Sequence, residues 1–158
     1  MTFILVPVGS LENLGSFTQP VLPGGVSSGY THLLDANAGF DVGFIGTFYY
    51  CSLGVERDVS GGSKVRLIRT RMLYGAEDAG SGSASAALCC YLSLLEGKEK
   101  GIGPFAYHLV QGVEMGRRCD IFVDVQRTED GSAIQSVNLK GSAVKVMEGM
   151  MEVDAERK

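Results

Sequence analysis

The spacing of hydrophobic and polar residues changes several times along the chain, and each change marks an element. Thr2 to Val8 (TFILVPV) is a short apolar run that predicts an opening strand. Ser10 to Leu14 predicts a short helix, with Ser10 as N-cap and Glu12 in the first turn. Thr18 to Gly29 carries Pro20, Pro23, Gly24, Gly25 and Gly29, and predicts the longest irregular loop. Asp41 to Leu53 is dense in aromatic and β-branched residues and predicts a strand. A glycine-rich turn leads to another strand at Lys64 to Leu73. Val65, Leu67, Arg69 and Arg71 share one of its faces, and Arg66, Ile68, Thr70 and Met72 the other. Neither face is cleanly apolar, so this strand is expected to run into a polar site or a sheet end.

Ser83 to Glu96 (SASAALCCYLSLLE) predicts a helix with no charged residue before Glu96. A surface helix shows a polar stripe, and this one shows none. It is too short to span a bilayer. The expectation is a helix buried all round by sheet, with the small residues Ser83 to Ala87 letting strands come close at its start. Strands follow at Phe105 to Gln111, Cys119 to Gln126 and Ala133 to Leu139, the last two joined as a hairpin through Asp130-Gly131. Shorter strands are expected at Ala143 to Met147 and Met150 to Val153, then a solvated tail. The fold class is α+β: an antiparallel-rich sheet, or half-barrel, wrapped round one buried central helix, as a single domain over residues 1–158.

Composition narrows the function. Glycine makes up 22 of 158 residues, about twice the usual share, so the fold needs tight turns or a backbone that approaches a ligand closely. The net charge of −4, without basic clusters, argues against nucleic acid as a partner. No run approaches the roughly 20 apolar residues of a membrane span, and the opening strand lacks the features of a signal peptide. Cys51, Cys89, Cys90 and Cys119 form no CxxC pair, and with two histidines zinc spacing is absent. Reduced cysteines in a cytoplasmic protein without a metal are expected.

The chemistry concentrates in Glu77-Asp78-Ala79-Gly80-Ser81-Gly82-Ser83-Ala84, between a strand and the charge-free helix. Gly80 and Gly82 allow successive N–H groups to face outward. The helix start adds unsatisfied donors and partial positive charge. Together they make a pocket for a carboxylate or phosphate. The hydroxyls of Ser81 and Ser83 could cap the helix or hold the anion, and Asp78 would face a cationic or hydroxyl group of the same ligand. The alternative is a simple capped helix. Gly80, Gly82 and Ser85 give only a degenerate dinucleotide fingerprint, and the next strand ends in Gln111 rather than an acid, so no nicotinamide cofactor is expected.

The same residues resemble the phenazine biosynthesis PhzF-like family. The resemblance runs through Ile68-Arg69-Thr70-Arg71-Met72, Glu77 to Ala84 and Tyr91-Leu92. It continues through Gln111-Gly112, Met115-Gly116-Arg117 and Gly141 to Val146. The opening strand and Asp41-Val42-Gly43-Phe44 resemble the second halves of members, fungal ones in particular. The resemblance implies the diaminopimelate epimerase-like fold, whose halves each wrap a sheet round one helix, and a setting in secondary-metabolite biosynthesis. It implies that Asp78 contacts substrate, and is the catalytic candidate. Gly82 and Ser83 would hold the substrate's carboxylate, with Glu77, Gly80, Ser81 and Ala84 completing the binding loop.

Only the second half of the family pattern is matched. The family's acid/base glutamate and a nearby histidine belong to the first half, and Ala79, Gly80 and Ser81 replace a Pro-Ala-Thr of the family loop. The resemblance therefore implies an isomerase or related proton-transfer enzyme on a small carboxylate-bearing metabolite. The rival is a non-catalytic half that binds ligand. Either would pair as a homodimer or with a missing first half. Cys89 and Cys90 lie deep in the helix, against a two-thiol racemase. His108 is expected to be a hydrogen-bonded strand residue and His32 a solvated loop residue. Arg69 and Arg71 are expected to pair with nearby acids, and Glu114 is a candidate substitute for the missing glutamate.

Overall fold

The computed structural model describes residues 1–22, 34–40, 43–57 and 64–150. Seven strands form one mixed sheet: β1 (Thr2–Pro7), β2 (Ile45–Arg57), β3 (Lys64–Leu73), β4 (Glu77–Asp78), β5 (Phe105–Gln111), β6 (Cys119–Arg127) and β7 (Ile134–Lys140). The order is β1-β2-β3-β5-β6-β7, with the two-residue β4 beside β3. β1 with β2 and β3 with β5 are parallel; the other pairings are antiparallel. Parallel neighbours need a crossover. Between β3 and β5 it is supplied by the helix α2 (Gly82–Leu94).

The sheet curls round that helix. Six strands side by side span about 24 Å, more than twice the breadth of a helix. Yet α2 touches β1 at one end of the row and β7 at the other, as well as β5 and β6. A flat sheet could not do this. The result is an α+β half-barrel of the diaminopimelate epimerase-like kind. Its core joins Ala84, Leu88 and Cys89 of α2 to Phe48, Ile68, Met72, Tyr107, Leu109, Ile121, Val123 and Val125 of the sheet. Alternation explains the choice: Ile121, Val123 and Val125 point in, while Phe122 points out.

The helix is wrapped on one side rather than all round. Tyr91, Leu94 and Leu95 are 46%, 41% and 64% exposed. The missing polar stripe therefore marks a second apolar face that the sheet leaves open. At the C-terminal end of the helix, Arg127 of β6 is fully buried. Its Nη1 donates to the carbonyls of Ser93 and Glu96 at 3.2 and 2.7 Å, and Nη2 to those of Gly97 and Gly101 at 3.2 and 2.7 Å. A cation at a helix C-terminus satisfies orphan carbonyls and opposes the helix dipole.

A second small core lies on the other face of β2 and β3. There the short helix α1 (Leu11–Ser16) buries Leu14 against Tyr49, Cys51 and Leu73. Ser10 caps α1 by accepting the Asn13 N–H at 3.1 Å, as its sequence indicated. Arg71 repeats the Arg127 device. Its Nη1 reaches the carbonyls of Leu14, Gly15 and Phe17, which end α1. This second layer explains why β3 lacks an apolar face and a polar face: both sides are covered near its C-terminal end.

Two elements differ from expectation. β2 runs on to Arg57, past the expected end at Leu53, through a register shift between Ser52 and Gly54 that a β-bulge accommodates. Residues 143–147 form no strand and are exposed, with Val144 87% open. Residues 151–158, with the rest of the last expected strand and the tail, lie outside the described residues, as does most of the proline- and glycine-rich loop. Among the described residues no helix is long and apolar enough to cross a membrane.

Candidate active site

β4 sorts the two acids of the loop. Met72 faces Asp78 and Leu73 faces Glu77 across the ladder, and successive strand residues point to opposite sides. Glu77 therefore joins the α1 side, where both its oxygens accept from Arg71, at 2.8 and 2.7 Å. Asp78 points to the α2 side. The structure thus separates Glu77 from the other residues of the expected binding loop.

Asp78, Gly80, Ser81, Gly82 and Ser83 line one pocket of about 410 Å³. The Asp78 carboxylate is held at both oxygens. Oδ1 accepts from the Gly80 N–H at 3.2 Å, and Oδ2 accepts from the Ser81 hydroxyl. Ser81 is the N-cap of α2, but its hydroxyl bonds Asp78 rather than a helix N–H. Consequently the first-turn N–H groups of Gly82, Ser83 and Ala84 have no acceptor among the described residues. Ala84 is fully buried in the core and does not line the pocket, so the structure sets it apart from the expected binding loop. The opposite wall is apolar: Met1, Phe3, Phe44, Met72 and Tyr74. Phe44 holds this wall together, meeting Phe3 and Tyr74 edge-on at 6.5 and 5.2 Å. An anion seated on the N–H groups meets partial positive charge on one side and water-excluding rings on the other.

The loop rests on the end of β5. Gln111 is fully buried. Its Nε2 donates to the Asp78 carbonyl at 2.7 Å and to Ser81 Oγ at 3.3 Å, and its Oε1 accepts the Ser81 N–H at 3.2 Å. Next to it, Gly112 has φ +73°, and a Cβ there would lie 2.7 Å from the carbonyl oxygen of Ala79. From the other side Cys119 presses on Gly80, where a Cβ would come within 2.8 Å of Sγ. Both glycines are needed for close backbone approach, one of the roles open to a glycine-rich chain. In the sequence Gln111 stood out as the end of a strand and as part of the family resemblance, but not as a support of the loop. The signal was its place after Tyr107 and Leu109, on the inward face, where a polar group must find partners.

The other weighed residues lie elsewhere. His108 Nε2 is 2.7 Å from Asp120 Oδ1, and its ring stacks on Phe122 at 4.4 Å. Glu114 accepts from Arg69 at 2.9 Å and does not line the pocket. His32 is outside the described residues. Burial pushes the Cys89 and Cys90 thiols up, which makes both poor nucleophiles. Among the described residues no three His, Cys, Asp or Glu side chains are grouped to hold a metal.

The model of the phenazine biosynthesis-like protein family matches residues 68–149, from the middle of β3 through the loop, α2 and the last four strands of the sheet. That is just over half of the chain, and it contains the whole Asp78–Ala84 loop with its Gln111 support. The chain belongs to the phenazine biosynthesis-like (PhzC-PhzF) family. No curated protein matches it.

Proposed function

We propose that this chain is an isomerase, or a related proton-transfer enzyme, acting on a small carboxylate-bearing metabolite. The observation that carries the reading is the pocket that Asp78 shares with Gly82 and Ser83, whose N–H groups at the start of α2 are open. The N–H groups receive the substrate carboxylate. Their fixed dipoles also stabilise charge that spreads onto it when a neighbouring carbon loses a proton. Asp78, locked by Gly80 and Ser81, exchanges that proton as acid or base. The apolar wall keeps bulk water away. The open face of α2 supports pairing with a second half, either another copy of this chain or a first half of the family type. The four free thiols support a reducing, cytoplasmic setting.

The test is solvent exchange. Small carboxylic acids are incubated with the protein in deuterated water and followed by NMR. Deuterium should enter at a carbon next to the carboxylate or a carbonyl, and Asp78→Asn should slow this by about 10²-fold or more. Unchanged turnover in that variant would sink the assignment. A strict monomer by sedimentation would count against the homodimer.

A further inference from the structure

We propose that Gln111 is the positioning residue of this site, and that it works by fixing the direction of a hydroxyl proton. The proposal rests on the reading of the pocket as a carboxylate site.

All three hydrogen bonds of the Gln111 amide go to the two ends of one short loop. One Nε2 proton reaches the Asp78 carbonyl at 2.7 Å, the other Ser81 Oγ at 3.3 Å, and Oε1 takes the Ser81 N–H at 3.2 Å. A buried amide is costly unless every group is bonded. Had filling been the only requirement, an apolar residue would have continued the Tyr107 and Leu109 pattern. The bond to Ser81 Oγ has a further effect. Because Nε2 can only donate, the Ser81 oxygen must accept from it, and the Ser81 proton turns to Asp78 Oδ2. A directed relay runs from Gln111 through Ser81 to the Asp78 carboxylate, and such chains reinforce each other. The same bonds hold Ser81 off the helix start, which leaves the Gly82 and Ser83 N–H groups to a ligand.

Gln111→Glu keeps the shape and reverses the relay. When ionised, the introduced carboxylate would accept the Ser81 proton, face the Asp78 carbonyl without a proton, and place negative charge under the anion pocket. When protonated, the same group would donate again.

The experiment titrates acetate into ¹⁵N-labelled protein and reads the amide signals of Gly82, Ser83 and Ala84 at pH 8 and pH 6. Acetate stays ionised at both. The wild type should show saturable shifts of similar midpoint at each pH. Gln111→Glu should bind about tenfold more weakly at pH 8 and regain most of that at pH 6, where burial protonates the introduced carboxyl. Recovery with pH is a result that packing alone does not produce. Wild-type affinity in the variant at pH 8, or equal weakness at both values, overturns the role of Gln111 and leaves the pocket standing. Absence of shifts in the wild type overturns the pocket itself. Should Gln111→Glu not fold at pH 8, the wild-type Gln111 side-chain amide decides. Slow hydrogen exchange and a shift on acetate addition support the relay; exchange at the solvent rate with no shift refutes it.

Discussion

Gln111 donates its side-chain amide to the main-chain carbonyl of Asp78 at 2.7 Å. The end of one strand thus carries the loop of another, and the site inherits the rigidity of the sheet. Residues joined in one such network should respond together to substitution.

Gly112→Ala tests the support from the backbone side. The residue has φ +73°, and its new Cβ would press on the main-chain oxygens of Ala79 and Arg117, which cannot move as a side chain can. The expected loss is about 1–3 kcal/mol, read as a fall of several degrees in Tm. A variant as stable as the wild type would show that the loop yields freely.

Gly80→Ala meets a side chain instead. Its Cβ would sit 2.8 Å from Cys119 Sγ. The single variant should lose stability and weaken acetate binding. Adding Cys119→Ala should restore both, with a coupling of about 0.5–3 kcal/mol in a double-mutant cycle. Additive losses would place the clash elsewhere.

Arg127 should be among the costliest residues to replace. Its guanidinium bonds four carbonyls at the end of α2 and lies 4.7 Å from the Phe105 ring centroid. Arg127→Met orphans those carbonyls and should cost about 3 kcal/mol or more. It should lower the urea midpoint at constant slope. Arg127→Lys should recover only part, because an ammonium lacks the planar fork.

Acid should act partly through Asp120. Hydrogen bonds from Arg118, then from His108, hold its carboxyl down at about 2, against an ordinary 3.8. The folded state thus holds its proton less readily than the unfolded chain. The stabilisation is complete above about pH 4 and disappears as pH falls from there toward 2. Asp120 is partly open to solvent, so its share is under about 1 kcal/mol. In Arg118→Ala its NMR titration midpoint should rise toward 3.8; an unmoved midpoint would leave Arg118 without a role.

Much of this was legible in the residues. The absence of charge before Glu96 marked α2 as a core helix, and alternation placed β5 and β6 almost to the residue. The glycine and serine pattern marked the loop at Asp78. What escaped depends on partners distant in sequence. Arg71 pairs with a nearby acid, Glu77, as expected, but its bonds to the end of α1 were hidden because those carbonyls lie 54 to 57 positions away; Arg127 lay just past the expected end of its strand, and the carbonyls it bonds lie 26 to 34 positions away. Glu77 read as part of the binding loop until the two-residue β4 turned it toward Arg71. The open side of α2 was hidden for the opposite reason, since local sequence records that a face is apolar and not what covers it.

The curl of the sheet also makes the site depend on both of its edges. Phe3 lines one wall of the pocket, and Leu139 lies so close to Gly82 that a Cβ there would be 3.0 Å from it. These contacts come from near the two ends of the described chain and meet at the start of α2. The pocket therefore needs both outer strands in place. A cut that frees either outer strand should abolish the amide shifts on acetate addition while much of the helix and central sheet still stands.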